Sequence, residues 1–278
     1  MNDHPHERAQ HERAIKFRKL HGGGTFSIAN AWDGGSAKIL QSVGFPALAT
    51  SSGAAAATLG RHDGRISLDE ALAHAKAICA ATSLPVSADL EKGFADSPAD
   101  MANTIRLAAG VGLVGGSIED FTGDEDDAIF DLDFAAERVA AAAEAARALP
   151  FPFTLTARAE NFLHGRHDLD DTIRRLQAYE KAGADVLFAP ALPDLDAVRR
   201  VCASVAKPVS FMVGMPGRSY SVAELAAAGV RRVSYATTLY RAAMAALLAG
   251  AREIHEAGTF GYLDRAMPGG VLAKILAE

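Results

Sequence analysis

The chain of 278 residues has few of the features that mark secreted, redox-active or membrane proteins. It contains only two cysteines, Cys79 and Cys202, with no C-x-x-C pair and no Cys-His metal spacing. We therefore expect buried free thiols rather than a disulfide, a zinc site or a redox centre. No apolar run reaches the eighteen residues that a membrane helix needs. The polar start, MNDHPHERAQHERAIKFRKL, differs from a signal peptide, and we expect a cytoplasmic location.

A basic excess is also missing, because 28 Lys and Arg stand against 34 Asp and Glu, for a net charge of −6. Nucleic-acid binding leaves a basic footprint, so we expect neither nucleic-acid nor membrane partners. The 49% of apolar residues is ordinary for a globular protein with a substantial core. We therefore expect a globular protein that binds a small molecule.

One plan repeats from Thr25 onward: a short apolar or β-branched run, a polar or glycine-containing break, and an Ala/Leu-rich amphipathic stretch. The runs predict eight strands, at 25–30, 46–51, 85–90, 115–120, 153–158, 185–190, 208–214 and 231–237. Helix starts are indicated by the capping boxes Ser67/Glu70 and Ser221/Glu224 and by Ser97 before Pro98, and helix ends by Gly44, Gly183 and Gly229.

Strict alternation of strand and helix predicts right-handed crossovers and a parallel sheet, hence the α/β class. Eight such units is the count at which a parallel sheet closes into a (β/α)8 barrel of the TIM type. An open doubly wound sheet is the alternative, but no G-x-G-x-x-G follows the first strand. We predict a barrel in one domain, 1–278, with an N-terminal helical arm at 1–24 and an extra C-terminal helical segment at 258–278.

Active-site residues of such barrels lie at the carboxyl ends of the strands and in the loops that follow. Most of the predicted strands end in polar side chains there. The candidates are Asn30, Ser52 and Gly53, Asp89 and Glu91, Glu119, Arg158, Tyr235, and Asp63 in the loop after the second strand.

Asp89 and Glu91 share one face if the third strand continues through both, since side chains alternate along a strand. A solvated, frayed strand end is the simpler interpretation of this pair. However, Asp89, Glu91, Glu119 and Asp63 together form a cluster of oxygen donors without His or Cys, which favours Mg²⁺ or Mn²⁺.

Arg158 ends the predicted fifth strand and could bind a substrate carboxylate through two parallel hydrogen bonds. Its alternative role is an ion pair with Glu160 or Glu119. The run TSSGAAAA offers backbone N–H groups at Gly53 as a cradle for an oxyanion, with a flexible loop as the alternative. No Ser-His-Asp arrangement is evident, so Ser52 is not favoured as a nucleophile.

Several motifs in a fixed order resemble the isocitrate lyase and phosphoenolpyruvate mutase superfamily over nearly the whole chain. They are NAWDGGSAKIL (30–40), ATSSG (49–53), LGRHDG (59–64), SADLEKGF (87–94), GGSIED (115–120), LTARAENFL (155–163), YEKAGADVLFAP (179–190), VAELAAAGVRRVS (222–234) and GTF (258–260). The resemblance implies a (β/α)8 barrel that binds Mg²⁺ and 2-oxo or 2-hydroxy acids and passes through an enolate at the metal.

The resemblance also implies roles by motif position. Ser52 and Gly53 match the carboxylate- and enolate-binding pair, and Arg158 matches the substrate-binding arginine, which makes all three candidate catalytic residues. Asp63, Asp89, Glu91 and Glu119 match the metal-centred acids, with Glu91 where many relatives carry Asp. Asn30 is a further candidate for substrate binding. Tyr235 is a candidate proton donor, although an ordinary core tyrosine is the alternative.

The segment after the fourth strand departs from the family. It reads FTGDEDDAIF (121–130) and lacks both the Lys-Lys-Cys-Gly-His motif of isocitrate and methylisocitrate lyases and the Lys and Asn of the mutase and phosphonopyruvate hydrolase. We therefore expect a Mg²⁺-dependent carbon–carbon lyase or decarboxylase for a small 2-oxo or 2-hydroxy (di)carboxylic acid. A carbon–phosphorus enzyme and a non-catalytic barrel that binds 2-oxo acids remain alternatives. Segment 121–130 is our candidate lid.

Apolar residues continue beyond the eighth strand, in a long helix and in the tail FGYLDRAMPGGVLAKIL. A closed barrel leaves no interior for them, so another surface must cover them. In the family a C-terminal helix packs on, or swaps with, a neighbouring subunit. We therefore expect a homo-oligomer, with a tetramer as the favoured state.

Overall fold

Eight parallel strands form a closed barrel in which each strand pairs with the next and the eighth pairs with the first. The computed structural model describes residues 5–218 and 220–277. The strands are β1 Phe26–Asn30, β2 Leu48–Ala49, β3 Val86–Asp89, β4 Gly115–Glu119, β5 Thr154–Arg158, β6 Val186–Phe188, β7 Val209–Met212 and β8 Arg232–Ser234. Each lies within one of the eight predicted segments, so the (β/α)8 prediction is confirmed.

Helices surround the barrel and connect its strands. They are α1 Pro5–His21, α2 Gly34–Val43, α3 Ser52–Thr58, α4 Leu68–Ala81, α5 Pro98–Gly110, α6 Leu132–Arg147, α7 Leu169–Ala182, α8 Leu195–Ser204, α9 Val222–Ala227, α10 Thr238–Ala257 and α11 Gly269–Ala277, with a 3₁₀ turn at Gly261–Arg265. The predicted capping boxes start α4 and α9, and Ser97 caps α5. Gly44 and Gly183 end α2 and α7 in the left-handed conformation.

The strand register aligns a row of unlike side chains across β4 to β8. Glu119 pairs with Arg158, Arg158 with Phe188, Phe188 with Ser210, and Ser210 with Arg232. Because these residues occupy matching positions on neighbouring strands, their side chains point to the same side of the sheet. The closed sheet therefore places acids and two arginines around one interior.

Helix α1 covers the amino-terminal end of the barrel. Phe17 is fully buried in a small apolar cluster that includes Phe26 and Val114. Gln10 donates hydrogen bonds to the backbone carbonyls of Ala109 and Leu113, at 2.8 and 3.0 Å. A β-carbon on Gly115 would lie 2.8 Å from Phe17 Cε1, which explains the glycine at this close approach. The barrel is thus closed at one end and open at the other.

The C-terminal segment lies outside the barrel, as predicted. Along α10 only Gly250 is buried. Leu247, Phe260 and Leu263 expose 64%, 59% and 58% of their surface, which is unusual for side chains of this size. The homo-oligomer that would cover them stays a prediction. None of the helices in the described part of the chain has the length and apolar character needed to cross a membrane.

Candidate active site

The open end of the barrel contains a cavity of about 470 Å³ at the carboxyl ends of the strands. Seven of the nine predicted site residues line it: Asn30, Ser52, Asp63, Asp89, Glu91, Glu119 and Arg158. Gly53 and Tyr235 do not. The barrel therefore brings together side chains that lie up to 128 positions apart in the chain.

Arg158, the last residue of β5, is held by three carboxylates. Its Nη1 lies 3.0 Å from Asp89 Oδ1 and 3.1 Å from Glu119 Oε2. Its Nε donates to Glu160 Oε1 at 2.9 Å. Burial by itself lowers the pKa of Arg158, but Glu119, Glu160 and Asp89 outweigh it and hold the pKa well above its ordinary value. The guanidinium is permanently charged and rigidly oriented.

The ion-pair alternative for Arg158 is observed, since it pairs with Glu119 and Glu160. Arg158 also lines the cavity, and its binding of a substrate carboxylate stays a prediction. Its hydrogen bonds within the described residues use Nε and Nη1. Nη2 is left for a ligand. A guanidinium that already has its carboxylate partners can bind a second anion only through such a remaining donor edge.

The carboxyl group of Glu91 lies in the same cavity with an unsatisfied atom. Its Oε1 is buried and has no hydrogen-bond partner among the described residues. Burial, followed by the charges of Asp89 and Asp63, raises the pKa of Glu91 to about 7, although Arg158 opposes the shift. An unsatisfied carboxylate oxygen beside two other acids attracts a cation or a proton.

The structure corrects the shared-face argument for Asp89 and Glu91. Strand β3 ends at Asp89, and Glu91 has a φ of 49° in the left-handed region, so it belongs to a turn. Its backbone N–H points toward Asp89 Oδ1 at 3.4 Å, and its carbonyl accepts from the Glu119 N–H. The turn, not strand alternation, carries the Glu91 side chain to the cavity.

Ser52 and Gly53 begin helix α3 beside Asp89. Both the backbone N–H and the hydroxyl of Ser52 donate to Asp89 Oδ2, at 3.3 and 3.0 Å. A β-carbon on Gly53 would lie 2.9 Å from Asp63 Oδ2, which explains why glycine occupies this position. Gly53 therefore lets Asp63 approach the helix, while its predicted oxyanion-binding role stays a prediction.

Asn30 and Tyr235 hold the barrel wall together. The Asn30 amide donates to the Thr50 carbonyl at 2.8 Å, and its oxygen accepts from the Tyr235 backbone N–H at 2.9 Å. The Tyr235 hydroxyl lies 2.7 Å from Ser27 Oγ, and its ring packs edge-on against Phe45. Ser27 alternates with the cavity-lining Ile28 and so faces the helices. These contacts favour the core alternative for Tyr235, and its role as a proton donor stays an untested prediction.

The acidic groups fit a divalent cation by charge and donor type. Six carboxylates line the cavity, those of Asp63, Asp89, Glu91, Glu119, Glu125 and Glu160, against two arginines. Within residues 5–218 and 220–277, no three His, Cys, Asp or Glu side chains converge at metal-ligand spacing. Mg²⁺ usually keeps several waters and takes one or two carboxylates directly. Together with the unsatisfied Glu91 oxygen, this donor set fits Mg²⁺ or Mn²⁺ without a closed inner shell.

A buried network behind the cavity was not expected from the sequence. Asp120 accepts the Glu160 backbone N–H at 2.8 Å, the Tyr179 hydroxyl at 2.6 Å and Arg175 Nη1 at 3.2 Å. Arg175 also donates to the Phe130 carbonyl at 2.8 Å. The network thus fixes the backbone of Glu160, the partner of Arg158, and the end of segment 121–130. A carboxylate following Glu119 was its only visible signal in the sequence.

Segment 121–130 forms part of the cavity mouth. Phe121 pairs with Ile129 as an isolated bridge and stacks on the His164 ring at a centroid distance of 3.9 Å. His164 Nδ1 lies 3.2 Å from Glu125 Oε2. Phe121, Glu125 and His164 all line the cavity. The candidate lid therefore closes one side of the site in this conformation.

A (β/α)8 barrel with an arginine and clustered carboxylates at the carboxyl ends of its strands has the architecture of the barrel enzymes. The chain belongs to the phosphoenolpyruvate phosphomutase family, since residues 17–255 match the family model described as Phosphoenolpyruvate phosphomutase. This confirms the superfamily resemblance.

Relatives within the family have several activities. The chain is 31% identical over 216 residues to 2-methylisocitrate lyase of Escherichia coli K12, a match that covers 74% of this chain and 72% of the enzyme. A Burkholderia cenocepacia J2315 structure, assigned provisionally as a lyase/mutase, is 51% identical with a TM-score of 0.95 over 98% of each chain. The structure of 2,3-dimethylmalate lyase is 26% identical with a TM-score of 0.86, over 95% of this chain and 94% of that one.

Proposed function

We propose that the protein is a divalent-cation-dependent carbon–carbon lyase for a small 2-oxo or 2-hydroxy dicarboxylic acid. The observation that carries the proposal is the position of Arg158. Its guanidinium is buried and oriented by Asp89, Glu119 and Glu160, beside an acidic group with an unsatisfied oxygen. Such a site could contact one small acid both through a positively charged guanidinium and through a cation held by the carboxylates.

Arg158 would bind the C1 carboxylate or the adjacent oxygen of the substrate through Nη2. Because Nε and Nη1 are already tied to carboxylates, the guanidinium loses little freedom when it binds. Its charge stays close to the oxygen on which negative charge develops as the carbon–carbon bond breaks. The Ser52 hydroxyl donates to Asp89 Oδ2 and would orient the carboxylate of Asp89.

Asp89, Glu91, Glu119 and Asp63 would hold the cation, directly or through water. A bound divalent cation would supply charge that polarises the substrate oxygen and stabilises the enolate-like product of cleavage. Segment 121–130, with Phe121 against His164, would exclude water from the reacting carbon.

The choice of a lyase is supported by the names of two relatives, 2-methylisocitrate lyase and 2,3-dimethylmalate lyase. The family model is named for a phosphomutase, so phosphonopyruvate remains a substrate to be tested. Segment 121–130 lacks the Lys and Asn expected of that chemistry. It also lacks the Lys-Lys-Cys-Gly-His motif of isocitrate and methylisocitrate lyases. We favour a lyase with another substrate because more of the named relatives are lyases.

The test is NMR-monitored incubation with Mg²⁺ of oxaloacetate, substituted malates, methylisocitrate and phosphonopyruvate. We expect cleavage of at least one dicarboxylic acid, lost on treatment with EDTA and restored by Mg²⁺. Replacement of Arg158 by methionine, which keeps length and removes charge, should lower kcat/KM about 100- to 1,000-fold. The same change at the exposed Arg199 on α8 is the matched control and should have no effect.

Turnover that survives EDTA would refute the cation-dependent mechanism. Phosphate release from phosphonopyruvate would assign the carbon–phosphorus alternative. Saturable binding of 2-oxo acids without any product would assign a non-catalytic barrel. The homo-oligomeric state and the cytoplasmic location both stay predictions.

A further inference from the structure

Arg232, the first residue of β8, is a buried cation without an acidic partner. Only 6% of its surface is exposed. Its Nε donates to Ser210 Oγ at 3.0 Å, and among the residues that the structure describes it forms no other side-chain hydrogen bond and no ion pair. A guanidinium has five N–H donors, so most of its hydrogen-bonding capacity is unused.

The other deeply buried arginines each have at least three polar contacts among the described residues. Arg158 contacts three carboxylates, and Arg175 contacts Asp120 and a second aspartate on its own helix. Arg138 donates to backbone carbonyls and lies 4.3 Å from the centre of the Phe130 ring. A buried charge is costly unless it is paired. Arg232 is therefore the exception that calls for a ligand.

The surroundings of Arg232 leave its positive charge uncompensated. Burial, and then the charge of Arg158, lower the pKa of Arg232 to about 10. Burial and the charge of Arg232 also lower the pKa of His21 to about 3, so this histidine is neutral and adds no second positive charge. The guanidinium stays protonated near neutral pH, and an anion would be strongly attracted to it.

The charge also opens on the catalytic cavity. Arg232 lines that cavity, as do Ser234 on the same strand and Arg158 three strands away. In register, Arg232 pairs with Ser210, and Ser210 with Phe188. Since Arg232 starts its strand while Arg158 ends its own, the two arginines approach the cavity from different depths. We name the part of the cavity lined by Arg232, whose Nε donates to Ser210, the floor.

We propose that Arg232, oriented by Ser210, forms a second anion-binding subsite, which binds the distal carboxylate of the substrate from the cavity floor. The inference rests on the proposed function, because it assumes that the first carboxylate binds at Arg158. A planar guanidinium fork matches a carboxylate through two parallel hydrogen bonds. The cavity, at about 470 Å³, has room for an acid of this kind between the two arginines. The protein would therefore select dicarboxylic over monocarboxylic acids.

The experiment compares two acids that differ only in the distal group. Malate carries a carboxylate where 2-hydroxybutanoate carries a methyl group. Their affinities are measured by calorimetry with Mg²⁺ present, for the unmodified protein, for Arg232→Met and for the control Arg231→Met. Arg231 is exposed and immediately precedes Arg232, which makes it a closely matched control. Thermal unfolding of each variant without ligand tests folding.

We expect the unmodified protein and Arg231→Met to prefer malate. Arg232→Met should bind malate about 100-fold more weakly, because a charged hydrogen-bonding partner is removed. Its affinity for 2-hydroxybutanoate should change less than about threefold. The unliganded variant should be at least as stable as the parent protein, since an unpaired buried charge is replaced by an apolar chain of similar shape.

Equal weakening of both acids, or no weakening of either, would overturn the inference. An inorganic anion is the other source of negative charge. If chloride raises the melting temperature of the parent protein but not of Arg232→Met, and both acids bind alike, the subsite belongs to that ion and the inference fails. If malate binding depends on Arg232 but no bond is cleaved in any acid, the subsite stands and the lyase proposal falls.

Discussion

Replacing Glu91 with glutamine should stabilise the cation-free protein at alkaline pH. Glu91 has a buried oxygen without a partner and lies near Asp89 and Asp63. Glutamine keeps the length and shape of the side chain but removes the charge. In EDTA, the substitution therefore isolates the electrostatic cost of holding this carboxylate beside two other acids.

The cost can be worked from the pKa. The pKa of Glu91 is about 7 in the folded protein against an ordinary value of 4.5. Between these values the folded state binds more protons than the unfolded state, so the free energy of unfolding falls as the pH rises. The loss is complete above pH 7 and small near pH 4.5. One pH unit corresponds to about 1.36 kcal/mol, which sets an upper limit of about 3 kcal/mol.

Solvent at the exposed edge of Glu91 screens part of this repulsion, so we expect about 1 to 3 kcal/mol. Urea unfolding in EDTA would measure it at about pH 5 and about pH 8. Glu91→Gln should be more stable than the parent protein at the higher pH and nearly equal to it at the lower. Exchange of the exposed Glu137 on α6 for glutamine is the control, and it should show no such difference.

Added Mg²⁺ extends the assay. It should raise the stability of the parent protein more than that of Glu91→Gln, because the cation relieves a repulsion that the variant lacks. Equal stability of the two proteins at the higher pH in EDTA would refute the repulsion argument. A variant that is less stable at both pH values would mean that the Glu91 carboxylate makes a stabilising contact.

Two further substitutions, measured by urea unfolding, test the packing and hydrogen bonds that support the site. Tyr179→Phe removes the hydroxyl that donates to buried Asp120 at 2.6 Å, and it should cost about 1 to 3 kcal/mol; a neutral result would mean that Asp120 does not need this donor. Gly93→Ala should cost about 1 to 3 kcal/mol, because Gly93 has a φ of 81° and a β-carbon would lie 2.4 Å from Met101 Sδ. Gly110→Ala, at a helical glycine with open space, is its control and should be neutral or stabilising.

The order of secondary-structure elements could be predicted from the sequence because it depends on local physics. Apolar runs, capping residues and glycine stops act within a few positions, as the capping box of Ser67 and the left-handed Gly44 illustrate. Eight alternations then leave few ways to cover a parallel sheet. The same logic brings Asp89, Glu119 and Arg158 to one end of the barrel, so the position of the site was also predictable.

The partners of these side chains were decided only by the tertiary structure. Tyr235 follows β8, but its hydroxyl contacts Ser27 on the helix side of the barrel, and Glu91 reaches the cavity through a left-handed turn. The direction of a side chain at a strand end depends on the turn that follows and on the neighbouring strands, which local sequence does not specify.

Ion pairs between residues far apart in the chain were likewise decided by the tertiary structure. Arg175 lies in an ordinary amphipathic helix, and nothing nearby in the sequence links it to Asp120, 55 positions earlier. From the sequence, Arg232 cannot be distinguished from its exposed neighbour Arg231. Pairing of β8 with β1 and β7 places the Arg232 side chain in the barrel interior. Sequence by itself determined the barrel and the residue types at its open end. Only closure of the sheet decided which charges are paired and which remain available for a ligand, because burial and pairing depend on all eight strands at once.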